Sequence, residues 1–195
     1  MNVFLLSPAR CDGRRATMLL NPAATFDLAA RIRTPEGAPI GEVFSFLSGL
    51  YFRGKLTYAR TFASVEHIKV ITTNRGLCSP DERVTRADLV SFSDIDLAAG
   101  DERYLAPLAR DATQLANELP ADAGVVLLGS IATGKYVDAL LGNFGERLLF
   151  PAEFVGRGDM SRGGLLLRQA REKTPLTYLK VNGAVRRGVR PPKLR

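Results

Sequence analysis

The chain has 195 residues, a formal charge of +7, 46% hydrophobic and 24% charged residues, enough for a packed core and unlike a disordered or fibrous protein. Two distant cysteines and one histidine exclude a disulfide framework and a Cys/His metal centre, and no apolar run is long enough to cross a bilayer. A reducing cytoplasm, no signal peptide, no cofactor and no metal are expected.

In chain order, NVFLL is the first predicted strand and SPARCDGRR its polar loop. The stretch from Asp27 to Arg33 suggests a helix, and TPEGAPIGE the clearest internal loop. In GEVFSFLSGLYFRGKLTYARTF, Phe46, Leu50, Gly54, Tyr58 and Phe62 recur at helical spacing, which predicts one helix with one apolar stripe. The aromatics there, interleaved with Arg53, Lys55 and Arg60, are read chiefly as core, with base stacking as the functional alternative. HIKVI is the second strand, followed by TTNRGLCSPD. DERYLAPLARDATQLANELP predicts a helix that opens on acids and stops at Pro120, with Pro107 in an early turn or at a kink.

GVVLL is the third strand, and a short helix is predicted from Gly134 or Lys135 to Leu141, stopped by Gly142. RLLF is the fourth strand. After it comes the glycine-rich stretch PAEFVGRGDMSRGG, read as a loop, and a last helix from Gly164 to Glu172. Short, unalternated apolar runs separated by helices predict an α/β fold, a three-layer sandwich around a mostly parallel sheet. Residues 1–185 are read as the domain and 186–195 as a basic tail.

An open parallel sheet binds ligands beyond the carboxyl ends of its strands. The four strand-end loops therefore nominate a common rim: Arg10, Asp12, Arg14, Asn74, Arg75, Ser130, Thr133, Lys135, Arg157, Asp159, Ser161 and Arg162. Among them, GSIATGKY approaches a phosphate loop. Gly129, Gly134 and Lys135 fit, whereas Tyr136 stands where a magnesium-binding hydroxyl is required. A working magnesium NTPase is not expected; a general anion site and a tight strand-to-helix turn are the two readings left. In GRGDMSRGG, Arg157 and Arg162 could fork onto phosphate oxygens around Asp159; an ion pair bracing a loop is the bland alternative. Arg10 and Arg14 would favour a thiolate at Cys11, a minor candidate.

Charge is concentrated near the end. From Val155 to Arg195, eleven Lys and Arg face Asp159 and Glu172, as expected of a segment that meets a polyanion.

The blocks VFLLSPAR, FLSGLYFRGKLTYAR, ITTNRGLCSPDE, VVLLGSIATGKYV and LLFPAEFVGRGDMSRGG resemble an uncharacterised bacterial family over nearly the whole chain. LLSPAR also resembles the opening of the YaaA-like peroxide-stress proteins, which are linked to DNA. These groups are related in fold to the uracil-DNA glycosylase superfamily. The resemblance implies a uracil-DNA glycosylase-like or Rossmann-like sheet and a nucleic-acid partner, DNA rather than RNA, or a nucleotide. It departs from the glycosylases where SPARCDGRR lacks Gly-Gln-Asp-Pro and no His-Pro-Ser follows the last strand. Asp12 alone carries over, as a water-orienting carboxylate. The leading expectation is a nucleic-acid-associated protein, with base excision as its candidate chemistry: Arg157, Arg162 and Lys135 would hold phosphates while Asp12 or Asp159 orients water. The alternatives are an enzyme or sensor for a nucleotide or sugar phosphate, and a binding module without chemistry.

Overall fold

The computed structural model describes residues 1–95, 100–132, 134–186 and 188–189, with the side chain of Lys135 outside the description. β1 (Asn2–Leu6), β3 (Ile68–Ile71), β6 (Gly124–Leu128) and β7 (Leu148–Pro151) are the four apolar runs, and they pair in parallel in the order β3-β1-β6-β7. Antiparallel β4 (Leu77–Cys78) and β8 (Tyr178–Lys180) close the edges of this six-stranded sheet. Neither edge strand is legible from periodicity. A small ribbon pairs β2 (Ala38–Pro39) with β5 (Arg83–Val84), so TPEGAPIGE is not wholly loop.

Both faces of the sheet are covered. Phe4 and Leu6 of β1, with Val126 and Leu128 of β6, belong to one core. Helices α1 (Arg14–Leu20), α2 (Asp27–Arg31), α3 (Ile40–Ser48), α4 (Leu50–Phe62), α5 (Arg86–Ser93) and α8 (Asp159–Glu172) contribute to that core. Val3 and Leu5, with Val125 and Leu127, pack on the other face against α6 (Glu102–Glu118) and α7 (Gly134–Phe144). The strict period of two in a strand therefore feeds two cores from one run, which is why these runs show no polar alternation.

Local chemistry starts and stops several helices as expected. Asp101 caps α6 by accepting from the Arg103 N–H at 2.9 Å, and Thr85 and Asp88 form a capping box on α5. Pro107 lies inside α6, which nevertheless runs to Glu118.

Three expectations are corrected. The long apolar stripe is two helices, because Gly49 adopts φ 60° and ψ −122°, which breaks the ladder between α3 and α4. Helix α7 passes through Gly142 and ends at Phe144, since a glycine at an exposed helical position costs only about 1 kcal/mol and does not by itself stop a helix. The glycine-rich stretch is loop only as far as Gly158; α8 starts at Asp159 and carries Gly163 and Gly164 within it.

The reason for the last correction is tertiary. A Cβ on Gly163 would meet the Leu50 carbonyl oxygen at 2.7 Å, and one on Gly54 would meet the Gly163 oxygen at 2.7 Å. These glycines let α4 and α8 cross backbone to backbone. Among the described residues, no helix is long and apolar enough to cross a membrane.

Candidate functional site

A cleft of ≈ 1120 Å³ opens at the carboxyl ends of β1, β3 and β6. Its position follows from the strand order: the chain moves from β1 to β3 on one side and later to β6 on the other, so neighbouring connections cover opposite faces and leave a crevice. The β1 loop, from Ser7 to Gly13, forms one wall, continued by Arg14 and Arg15 of α1. Leu47, Ser48 and Tyr51 enter from the α3–α4 junction, Thr73 follows β3, and Phe92, Ser93 and Ile95 come from the end of α5. Ser130 follows β6, and Tyr136, Asp159 and Arg162 come from the first turns of α7 and α8.

The floor is polar and deeply buried. Lys55, on α4, is 1% exposed. Its Nζ donates to the Ser7 carbonyl at 2.6 Å and to Ser7 Oγ at 2.9 Å. The same nitrogen stands 4.4 Å from the centre of the Tyr51 ring and 4.8 Å from that of Phe52. No carboxylate among the described residues forms an ion pair with it. Burial pushes its pKa down to about 7, opposed by the field of Asp159 and aided by that of Arg162. Ser7 donates its hydroxyl to the Leu128 carbonyl at 3.3 Å, and a Cβ on Gly129 would sit 3.0 Å from Ser7 Cβ, so β1 and β6 approach closely at this floor.

Tyr51 lies above Lys55, and its hydroxyl makes no hydrogen bond of normal length. Burial pushes this phenol up; the Arg162 guanidinium is near enough to soften that effect through its charge. Tyr136 is likewise pushed up to about 12, by burial and then by Asp159. Arg162, 8% exposed, gives its Nε and one terminal nitrogen to the Phe154 carbonyl at 3.2 and 3.1 Å, and its other terminal nitrogen reaches Asp159 at 3.4 Å. Two buried cations thus flank one phenol, with a single carboxylate at the surface beside them.

The nominated residues divide. Arg10, Asp12, Arg14, Ser130, Asp159 and Arg162 line this cleft. Gly129 and Gly134 lie at the turn from β6 into α7, and a Cβ on Gly134 would strike Asp138. Asn74 and Arg75 face a separate hollow of ≈ 520 Å³ with Ser91, Asp94 and Arg103, where Arg75 pairs with Asp88 and Asn74 donates to Ser91 at 2.5 Å. The β3 end turns them away, because Thr72 binds the Gly76 carbonyl and folds the loop back. Arg157 donates to the Glu153 carbonyl at 2.9 Å and to Ser161 Oγ at 3.3 Å, so both residues brace the start of α8. Thr133 and the Lys135 side chain lie outside the described residues, as do residue 187 and residues 190–195 of the basic tail.

Cys11 corrects its expectation. The thiol is buried, and burial, then Asp12, push its pKa up to about 12, so the neighbouring arginines create no thiolate. Asp12 is held well below the usual carboxylate range chiefly by its hydrogen bond from Arg10, in a pair with exposed side chains, 84% and 54%. Asp12→Asn is therefore expected to change stability by less than about 1 kcal/mol in urea unfolding.

Lys55, Tyr51 and Ser7 were not nominated. Tyr51, Lys55 and Tyr58 stand at i, i+4 and i+7, a lysine on the same face as buried aromatics, and that spacing is the signal that could have found the floor. Among the described residues, no cluster of His, Cys, Asp and Glu could hold a metal. No protein-family model, curated protein or solved structure matches this chain.

Proposed function

We propose that the protein acts on nucleic acid, DNA rather than RNA, and that the cleft is a base-excising site of the N-glycosylase type. The observation that carries this reading is the charge of the cleft: among the described residues, Arg10, Arg14, Arg15 and Arg162 face it with Asp12 and Asp159 in opposition. Such a surface attracts phosphates, and its depth accommodates a nucleotide turned out of the stack. The likeness of LLSPAR to the opening of the YaaA-like proteins, whose fold is related to that of the glycosylase superfamily, supports the same reading.

Asp159 is the better catalyst of the two carboxylates, since Asp12 is committed to Arg10. In this scheme Asp159 orients a water toward the sugar C1′ and takes its proton. The bond from carbon to the base nitrogen breaks as the water oxygen bonds to that carbon, and the base leaves with the electron pair and takes up one proton, balancing the one that Asp159 removed from water. The surrounding cations hold the flanking phosphates.

Fluorescence anisotropy with single-stranded DNA and RNA at increasing salt tests the binding. Four phosphate contacts predict a slope of about −3 in log affinity against log salt, and absence of binding even at low ionic strength would remove the proposal. Binding without release of any base from modified DNA would leave a non-catalytic module. A free nucleotide is the second reading, favoured by the strand, turn and helix of GSIATGKY, which bring Ser130 and Tyr136 to the cleft. Deleting residues 186–195 separates the two: affinity and salt slope fall for nucleic acid and stay unchanged for a free nucleotide.

A further inference from the structure

At the inner end of the cleft, hydrogen-bond donors outnumber acceptors. Arg162 has five N–H donors, and the bonds it makes run to the Phe154 carbonyl and to Asp159. Tyr51 Oη has none. Buried polar groups are seldom left unpaired in native proteins, and the groups nearest this hydroxyl offer it charge rather than an acceptor. Positive charge is also in excess. Lys55 and Arg162 are 1% and 8% exposed, whereas Asp159, the carboxylate that reaches them among the described residues, has a side chain 69% exposed and meets Arg162 at 3.4 Å, long for a charge-assisted bond. This donor and charge excess suits an anion with several acceptor oxygens.

We propose that this inner end seats the terminal phosphate monoester of the ligand, with Tyr51 Oη and the spare N–H groups of Arg162 as donors and Lys55 adding charge from beneath the Tyr51 ring. This deepens the nucleic-acid reading and rests on it. A monoester brings three free oxygens and up to two charges. An internal phosphodiester has one charge, and its two ester arms must both continue outward, which the wall of buried Tyr51, Phe154 and Arg162 obstructs. The substrate class is then a phosphorylated nucleic-acid end or a mononucleotide rather than an unbroken strand. Seating the phosphate displaces Asp159 from Arg162 and frees that carboxylate to turn toward water.

The test is calorimetric titration of the full chain with one short single-stranded DNA carrying a 5′-phosphate, a 3′-phosphate or neither. One of the two phosphorylated forms is expected to bind about tenfold more tightly than the unphosphorylated form. Tyr51→Phe should erase that preference with little change in the melting temperature, because in the free protein the hydroxyl it removes makes no hydrogen bond of ordinary geometry and has the Arg162 guanidinium near it. Asp159→Asn should widen the preference by removing the competing anion. Equal affinity for the three DNAs, or a preference that survives in Tyr51→Phe, overturns the seat while leaving the nucleic-acid reading intact. If none of the DNAs binds, the nucleic-acid reading fails and inorganic phosphate decides the seat. Thermal protection of the wild type but not of Tyr51→Phe upholds it, and no protection of either overturns it.

Discussion

Lys55→Met is expected to stabilise the protein by about 2 kcal/mol at pH 6.5 and to give no advantage at pH 8.5. The folded protein holds this amine at about 7, whereas the unfolded chain returns it to 10.5. Below the folded value both states bind the proton, and the whole desolvation cost of the buried ammonium is present. As pH rises past 7 the folded amine releases its proton while the unfolded amine keeps it, so stability climbs by up to about 1.4 kcal/mol per pH unit. The climb ends as pH nears the ordinary thiol and phenol range. Burial holds Cys11 and Cys78 at about 12 against an ordinary 9.0, so there the unfolded chain loses protons that the folded one retains, and stability turns down.

Against the gain from removing the charge stands the loss of both hydrogen bonds to Ser7, about 1–3 kcal/mol for leaving the carbonyl unpaired. Desolvation outweighs it when the amine is charged, and the two balance when it is neutral. Urea unfolding under reducing conditions, at pH 6.5 and 8.5, reads this directly. The wild type should gain about 2 kcal/mol between the two, and Lys55→Met should be flat. A wild type that is flat or loses stability over that interval would show that the floor does not hold a strained ammonium. The variant should also bind phosphate more weakly, since it removes one of the two buried cations beside Tyr51.

Gly163→Ala is expected to cost about 2–3 kcal/mol. Its new methyl would lie 2.7 Å from the Leu50 oxygen, 2.8 Å from the Leu50 carbonyl carbon and 2.9 Å from Tyr51 Cα. All three are backbone atoms, and a backbone cannot step aside as a flexible side-chain end does. The helices must separate. Because Tyr51 and Arg162 sit on the two sides of this crossing, separation also spoils the cleft, so the fall in stability and the loss of DNA affinity should appear together. Gly164→Ala is the control: a Cβ there has no neighbour within 4 Å, and exchanging a helical glycine for alanine is expected to stabilise by about 0.5–1 kcal/mol. Thermal and urea melts of the two variants should move in opposite directions. If Gly163→Ala were neutral, the close crossing would have to be looser than its geometry indicates.

Much of the scaffold was legible because its signals are local. The four parallel strands are apolar runs too short for helices, and α6 announces its start with Asp101 and Glu102. The break at Gly49 was hidden because apolar residues keep helical register across it, so periodicity alone reads one element where backbone torsion makes two. Glycines misled in the opposite sense at GRGDMSRGG, where they serve a helix crossing rather than a loop. For the site, the strand-end loops named from the sequence include Arg10, Asp12, Arg14, Ser130, Asp159 and Arg162, which line one cleft. Ser161 differs from Arg162 in helical phase and Arg157 lies just before α8, and no spacing rule separates bracing from facing until α8 has a partner.

By itself the sequence determined the four inner strands, that these run in parallel, and that polar chemistry collects at their carboxyl ends. Those properties depend on side-chain patterning along a few consecutive residues. Tertiary structure alone decided that Ser7, Tyr51, Lys55, Tyr136, Asp159 and Arg162 meet. Their meeting depends on strand order and on the close approach of α4 and α8, and a lysine becomes a buried, weakened base only when distant segments remove the water around it.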